Sequence, residues 1–185
     1  TIWDSGGTDT FDFSGLEAED GGYRFDLNQS KYQTTQTGFT GASYNRNGTT
    51  YYVPSHGTSI AINVEIENLG NSSSDDLIIA NPAANSFSGY APGLTTGDDV
   101  FIGTDELDTL DLSKFSFLDI AGIPSESDLK YELGASNSIT VKDYFSVPKD
   151  KRMKVLLDDR RVGFKQVNSG VEGDDNSKLI NFTVQ

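Results

Sequence analysis

The chain has 185 residues, no cysteine and a formal net charge of −14. The absence of cysteine excludes disulfides, cysteine nucleophiles and thiolate metal sites, and the negative charge disfavours nucleic acid and anionic membranes as partners. Residues 1–129 contain 4 Lys/Arg and 20 Asp/Glu, and residues 130–185 contain 10 and 8, so the acidity belongs to the first part of the chain.

Short strands are the elements that the composition favours. The chain has 19 Gly, 8 Tyr and 11 Phe, with polar turn clusters throughout, which predicts an all-β fold. No apolar run approaches the roughly 20 residues that cross a bilayer, and TIWDSGGTDT at the start lacks the basic and apolar regions of a signal peptide. We therefore expect a soluble chain that has been trimmed or is exported by another route, without membrane insertion.

The first elements in chain order surround glycine turns. Apolar residues on both sides of Gly6 and Gly7 predict a strand, a tight loop and a second strand, and another apolar run covers Tyr23 to Leu27. The polar stretch at 29–57 predicts long loops with one exposed hairpin.

A clean alternation of apolar and polar residues follows. It predicts a single strand from Ser59 to Leu69 with four apolar side chains on one face: Ile60, Ile62, Val64 and Ile66.

A weak internal repeat follows that strand. Asp76, Asn85, Asp99 and Asp108 are separated by 9, 14 and 9 residues, with a five-residue insertion near Tyr90 to Leu94. Two positions after each comes an apolar residue: Ile78, Phe87, Phe101 and Leu110. A polar turn followed by a short strand, iterated in this way, is typical of a parallel β-roll, in which these four apolar side chains share one core.

The last third predicts an antiparallel sheet that continues the roll. Strand-like runs occur at Asp128 to Leu133, Ser138 to Phe145, Met153 to Leu157, Arg161 to Phe164 and Leu179 to Val184. Pro148 and the residues from Lys149 to Lys154 indicate a turn, and a helical turn is possible near Ser113 to Ile120. The fold class predicted is an all-β degenerate parallel β-roll or β-sandwich, with residues 1–112 as the roll region and 113–185 as a β-rich extension packed on it.

Several segments resemble a known family. TIWDSGGTDTFDFSG, YRFDLN, GTSIAINVEIENLG and IENLGNSSSDDLIIANPAAN are similar to the C-terminal calcium-binding domain of serralysin-type (M10) metalloproteases, over roughly residues 1 to 112. ASNSITVKDYF resembles the region that follows glycine-rich repeats in haemolysin-type calcium-binding proteins. The resemblance implies a secreted, extracellular bacterial protein, exported by type I secretion, with an upstream catalytic or adhesive domain as its partner.

Two N-terminal Ca²⁺ sites are implied by the resemblance. The first corresponds to Asp4, Gly6 and Asp9, and the second to Gly7, Asp9, Glu65 and Glu67. Calcium takes six to eight hard oxygens, and a D-S-G-G-T-D loop offers two carboxylates together with glycine carbonyls. Without metal, Asp4 and Asp9 would form an Asx-turn pair, and Glu67 would be a solvated strand carboxylate.

The repeat departs from the family pattern G-G-x-G-x-D-x-U-x, in which U is apolar. Most of its glycines are replaced, by Asn71, Ser72, Ser74, Leu94 and Thr95. Turns that need a positive φ therefore lack the residue that adopts it freely. Capping of turns and calcium binding are both open for Asp76, Asp99 and Asp108, while Asp75 and Asp98 are expected to be exposed acids.

Enzymatic function has little support in the sequence. The single histidine, His56, follows Ser55 outside any HExxH motif or nucleophile elbow, and no carboxylate pair stands out from the acidic background. A basic run consists of Lys149, Lys151, Arg152, Lys154, Arg160 and Arg161. It predicts a solvated hairpin face or a surface that docks an acidic partner, which could be the roll itself.

Three functional hypotheses follow, and the first is favoured. It is a non-catalytic calcium-binding domain that supports folding, stability and secretion of a larger extracellular protein, a metalloprotease. The alternative is an extracellular adhesion or glycan-binding module, for which tyrosines of the polar stretch offer a stacking surface: Tyr32, Tyr44, Tyr51 and Tyr52. The third, a catalytic polysaccharide-modifying β-helix, lacks a distinctive acid-base pair.

Overall fold

A computed structural model describes residues 1–16, 22–29, 32–34, 42–46, 49–53, 57–116, 120–134, 137–157 and 182–184. Short strands dominate this part of the chain, where the only helical element is a 3₁₀ turn at Lys149–Lys151. The strands are β1 (Thr10–Asp12), β2 (Arg24–Asp26), β3 (Tyr32–Thr34), β4 (Ala42–Arg46), β5 (Thr49–Val53), β6 (Gly57–Ser59), β7 (Asn68–Gly70), β8 (Leu77–Ile79), β9 (Ser86–Ser88), β10 (Asp98–Ile102), β11 (Thr109–Leu112), β12 (Ala121–Ser125), β13 (Asp128–Gly134), β14 (Asn137–Val141), β15 (Lys154–Leu157) and β16 (Phe182–Val184).

Successive strands of the roll alternate between two sheets. One sheet has the order β1-β7-β9-β11-β15-β16, and all of its pairs are parallel. The other has the order β12-β13-β14-β10-β8-β2-β3-β6 and is parallel from β14 to β2. One coil therefore contributes one strand to each sheet. The predicted all-β parallel roll is confirmed.

The two sheets enclose one apolar core. Ile78, Phe87, Phe101 and Leu110, the four apolar positions of the repeat, are each 0% exposed and belong to the same buried cluster. The ring centroids of Phe87 and Phe101, on opposite sheets, lie 4.9 Å apart in an edge-to-face arrangement. The prediction that these four side chains share one core is confirmed, and the repeat is a real structural period.

The single strand predicted from Ser59 to Leu69 is wrong. The chain leaves β6 at Ser59, turns, and re-enters a sheet only at Asn68. The turn is closed by a hydrogen bond from Val64 N to Ala61 O at 3.3 Å, and Asn63 has φ 65°. Asparagine tolerates this left-handed conformation, so the backbone reverses where alternation alone predicts extension.

The turn also divides the four apolar side chains predicted to share a face. Ile62 is 69% exposed, whereas the other three are buried: Ile60, Val64 and Ile66.

A hairpin in the polar stretch, as predicted, is present as β4 and β5, paired antiparallel. Farther along the chain, β12, β13 and β14 form the antiparallel part of the predicted extension. The strand β14 pairs in parallel with β10, so this meander continues the roll.

The prediction that all the final strands are antiparallel is wrong. The strands β15 and β16 pair in parallel beyond β11, because the chain crosses to the other sheet after β14 and so keeps the direction of the roll. The strand predicted at Arg161 to Phe164 lies outside the described residues. Residues 113–116 form a turn with a Phe115 N to Leu112 O hydrogen bond of 2.8 Å, and no helix is found there.

Candidate calcium site

The loop from Asp4 to Asp9 is fixed at both ends by the roll. On its N-terminal side, Ile2 forms a parallel bridge with Ile60. On its C-terminal side, β1 pairs with β7, and the Asn68 backbone N–H donates to Asp9 O at 2.9 Å. A short loop between two anchored segments holds its polar groups in fixed positions, which favours ligand binding over free motion.

Two glycines let this loop turn tightly. Gly6 has φ 106° and Gly7 has φ 149°, both in the region that favours glycine. Gly6 N donates to Asp4 Oδ2 at 2.8 Å, which closes an Asx turn and orients the Asp4 carboxylate. A Cβ placed on Gly7 would lie 3.5 Å from Asp9 Oδ2, so the glycine backbone and this carboxylate are close neighbours.

Glu67 reaches the loop, as predicted. Its Oε2 accepts a hydrogen bond from the backbone N–H of Asp9 at 2.8 Å. Glu67 directly precedes β7, whose pairing with β1 brings together residues that are 58 positions apart. The structure thus brings three of the predicted side-chain ligands to one place: Asp4, Asp9 and Glu67.

The electrostatics of this cluster are dominated by like charges. The neighbouring Asp4 carboxyl raises the pKa of Asp9 through a shared hydrogen bond, and desolvation and the charge of Glu67 act in the same direction. Hydrogen bonds from the backbone of Gly6 and Ser5 lower the pKa of Asp4. The loop therefore has more negative charge than its own donors neutralise.

One carboxylate oxygen in the loop has no partner. Asp9 Oδ2 is inaccessible to solvent and accepts no hydrogen bond from the described residues. A buried carboxylate oxygen without a donor is costly unless a cation or a proton satisfies it. Within the described part of the chain, no three His, Cys, Asp or Glu side chains form a ready-made metal cluster. A bound ion would therefore need main-chain carbonyls in addition to Asp4 and Asp9, and calcium accepts such ligands.

Glu65, which the resemblance assigns to the second site, lies elsewhere on the surface. Its exposed side chain lines a cleft of about 410 Å³ together with Leu27, Asn28, Val64 and Pro82. No described contact joins Glu65 to the loop, and its assignment as a ligand stays a prediction.

The repeat aspartates are buried inside the roll. Asp76, Asp99 and Asp108 are 2%, 1% and 0% exposed. Asp76 N donates to Asp99 Oδ1 and Asn85 N donates to Asp108 Oδ1, each at 2.9 Å and across 23 residues. Each carboxylate thus accepts the backbone N–H of the equivalent residue one coil earlier in the same sheet.

Burial shifts the protonation of these carboxyls. Desolvation raises the pKa of Asp99 to about 8 and that of Asp108 to about 6, and it also raises the pKa of Asp76. A neutral carboxyl is the cheaper form in an apolar surrounding when no cation balances it. At neutral pH, Asp99 is therefore mostly protonated.

Two residues of this buried network were not predicted from the sequence. Tyr90 donates its hydroxyl to Asp99 Oδ2 at 2.8 Å, and Asn71 donates its side-chain amide to the same oxygen at 2.8 Å. Tyr90 lies in the insertion that interrupts the repeat, so no period could place it. For Asn71 a signal existed, because an amide replaces the first glycine of the repeat pattern.

Two described members of the basic run, Lys151 and Arg152, contact the rest of the fold. The Arg152 guanidinium lies 5.5 Å from the ring centroid of Tyr144 and 5.1 Å from that of Phe145, and Arg152 is 3% exposed. The expectation of a solvated face is therefore wrong for Arg152, whose aliphatic and planar parts fill an aromatic niche. Lys151 forms an ion pair with Glu106 of the roll. Arg160 and Arg161 lie outside the described residues, as do Ser55 and His56.

Comparison with protein families gives a match that agrees with this geometry. No curated protein matches the chain. No helix in the described residues is long and apolar enough to span a membrane. The family model Peptidase M10 serralysin C terminal matches residues 1–154, which reaches beyond the 112 residues of the predicted resemblance and includes β12 to β14. The protein therefore belongs to the Peptidase M10 serralysin C-terminal family.

Proposed function

We propose that this domain is a non-catalytic calcium-binding module that supports the folding, stability and secretion of a larger extracellular metalloprotease. The family is that of the C-terminal region of serralysin, a non-catalytic part of secreted metalloproteases, and domains of this family bind calcium in general. The observation that supports calcium binding by this chain is Asp9 Oδ2, a buried carboxylate oxygen without a partner, beside Asp4.

Asp4 and Asp9 are the side chains proposed to hold the ion, with Gly6 and Gly7 offering main-chain carbonyls that no Cβ obstructs. Glu67 adds a third negative charge next to Asp9. When bound, calcium supplies positive charge that offsets the repulsion between these carboxylates. Without it, the hydrogen bond to Asp4, desolvation and the charges of Asp4 and Glu67 raise the pKa of Asp9.

The position of the loop explains how an ion would act on the whole fold. The loop connects Ile2, which bridges to Ile60, with β1, which pairs with β7. An ion held by Asp4 and Asp9 is therefore a cross-link at the first coil, on which the later coils stack. A chain with net charge −14 repels itself when ions are scarce, which favours export in an unfolded state and folding where calcium is abundant.

Thermal unfolding in millimolar calcium and in chelator, at matched ionic strength, tests the proposal. One site saturated at about 100 times its Kd adds about 2.7 kcal/mol, which corresponds to a rise in Tm of about 5 to 10 °C for a chain of this size. We expect Asp9→Asn to lose this rise. Asp150→Asn, which removes the same charge from an exposed side chain, should keep it.

A wild-type Tm that does not respond to calcium would contradict the proposal. Glu65→Gln extends the experiment, because a loss of the calcium response in this variant would place Glu65 in the site despite its position in the surface cleft.

The alternative function is adhesion through glycan binding by the tyrosine-rich hairpin. Its register pairs Tyr44 with Tyr51 and Ser43 with Tyr52 across β4 and β5. Two aromatic residues opposite each other on a hairpin are a common platform for stacking of sugar rings. A glycan array, with Tyr44→Ala/Tyr51→Ala as the control, separates this function from a purely structural one.

A further inference from the structure

The turn before β8 and the turn before β10 form a single layer between neighbouring coils. Asp76 N donates to Asp99 Oδ1 at 2.9 Å, and Asp98 N donates to Asp75 Oδ1 at 2.8 Å. At Gly97 a Cβ would lie 2.2 Å from Ser74 O, so the two backbones are in direct contact.

The side-chain amide nitrogen of Asn71 lies where three of these oxygens converge. Its distances are 2.8 Å to Asp99 Oδ2, 3.1 Å to Ser72 O and 3.3 Å to Thr96 O. A carboxylate and two carbonyls are the ligand types that calcium selects, but calcium–oxygen distances are about 2.3–2.6 Å. The observed distances are those of N–H···O hydrogen bonds. An amide, which supplies only partial positive charge, is therefore at the centre of this set of oxygens.

The carboxylates on both sides of the layer are already occupied by donors. Asp99 Oδ2 accepts from Asn71 and from the Tyr90 hydroxyl, which uses both of its lone pairs. Asp76 accepts from Tyr23 N at 3.0 Å and from the Ser72 hydroxyl at 2.7 Å. A cation could bind here only by displacing these donors.

Two buried atoms in the same layer have no partner. Asn71 Oδ1 and Thr96 Oγ1 are inaccessible to solvent and accept no described hydrogen bond. A 180° flip of the Asn71 amide would turn Oδ1 toward the three oxygens, an arrangement that only a cation makes favourable. This flipped, metal-bound form is the competing state. Calcium would stabilise the flipped form and leave the hydrogen-bonded form unchanged.

We propose that the Asn71 side-chain amide takes the place of a cation between these two turns, so that this layer of the roll is held by hydrogen bonds and does not bind calcium. The inference does not depend on calcium binding at the N-terminal loop, because it rests on donors that belong to a different pair of coils. It makes the roll a scaffold whose assembly at this layer is independent of the metal.

Calcium-dependent melting of Asn71 variants tests the inference in an Asp9→Asn background. We expect Asn71→Ala to lower Tm by the same amount in millimolar calcium and in chelator. We expect Asn71→Asp, which keeps the shape and replaces the amide by a carboxylate beside Asp99, to become calcium-dependent. Its Tm should rise by about 5 to 10 °C at 100 times the Kd of the new site. Asn63→Asp, which adds the same charge at an exposed turn, should show no such rise.

Calorimetric titration with calcium chloride gives a second readout. The inference is overturned if the Asp9→Asn protein still binds calcium and Asn71→Ala removes that binding, because Asn71 would then be a ligand. It is also overturned if Asn71→Asp gains no calcium response while remaining folded by circular dichroism. If Asn71→Asp folds only after calcium is added, the gain of dependence is observed directly. Failure of the N-terminal site is recognised separately, as the loss of any calcium response in the wild type.

Discussion

Asp99 is predicted to make the stability of this domain fall as pH rises through neutrality. Its carboxyl is 1% exposed, and burial raises its pKa from 3.8 to about 8 in the folded state. Between these two values the folded chain holds a proton that the unfolded chain has released. The free energy of unfolding therefore decreases with increasing pH in this window, by up to about 1.4 kcal/mol per pH unit.

The interval from pH 6.0 to 7.5 separates the titration of Asp99 from that of Asp108. Asp108, with a pKa of about 6, contributes in the same direction but mainly below this interval. Over 1.5 pH units, Asp99 contributes a loss of about 2 kcal/mol, which corresponds to a fall in Tm of about 4 to 8 °C. Far below, in acid, the sign reverses, because carboxyls with a lowered pKa, such as Asp128 paired with Lys142, become protonated and lose their partners.

Melting curves in chelator at both pH values measure this effect without interference from calcium. Asp99→Asn mimics the neutral carboxyl at every pH and should flatten the dependence between pH 6.0 and 7.5. Asp98→Asn, which removes a charge from the exposed neighbour, should keep the wild-type slope. An equal slope in wild type and Asp99→Asn would refute the reasoning, since it would show that Asp99 is ionised in the folded protein.

Two further predictions concern packing. Gly97→Ala should lower the free energy of unfolding by more than about 2 kcal/mol, because φ is 74° and the new Cβ would lie 2.2 Å from Ser74 O. Gly103→Ala, with φ 76° and its nearest contact at 3.8 Å, is the control that measures backbone strain alone. Equal losses for the two variants in urea denaturation would show that the turns are not in contact. Phe101→Ala should lower the free energy of unfolding by about 3–5 kcal/mol. Ile102→Ala should lower it by less than about 1 kcal/mol, because Ile102 is 39% exposed on the outer face of the same strand. Similar losses would mean that β10 does not have a single buried face.

The roll could be predicted from the sequence because its period is present in two residue types at once. A polar residue at Asn85 or Asp108 and an apolar residue two positions later define both the turn and the core of each coil. The strands at Phe87 and Leu110 then follow from the requirement that each short strand bury one side chain. The hydrogen bond from Asp9 N to Glu67 could be anticipated only through the resemblance, since 58 residues separate the partners.

The turn at Ala61 to Val64 could not be predicted from the sequence. An alternation of apolar and polar residues is typical of a strand, but a turn with buried residues on both sides produces the same pattern. Ile62 fits the alternating pattern and yet is 69% exposed, since Asn63 reverses the chain next to it. The role of Tyr90 was hidden for a different reason. Its hydroxyl donates to Asp99, nine residues later, and the five-residue insertion near Tyr90 to Leu94 breaks the period that would relate the two positions.

The chain offsets its acidic character in three physically different ways, and they are located in different parts of the fold. In the interior of the roll, Asp99 and Asp108 are satisfied by N–H and O–H donors and by raised pKa values. At the C-terminal end, lysines from the more basic region provide fixed positive charge, as in the ion pair between Lys151 and Glu106. Both of these are built into the covalent chain and act at any calcium concentration.

The loop at Asp4 and Asp9 compensates its charge only in part, through the hydrogen bond from Gly6 N to Asp4 and the raised pKa of Asp9. It has no described lysine or arginine partner for its carboxylates, and Asp9 Oδ2 accepts no described hydrogen bond. The charge that remains is balanced by a proton or a cation taken from solution. Sensitivity to the ionic environment is therefore concentrated at the first coil. Because β7 and the strands beyond it stack in parallel on β1, a change in calcium at this one loop is expected to affect how the whole roll begins to assemble.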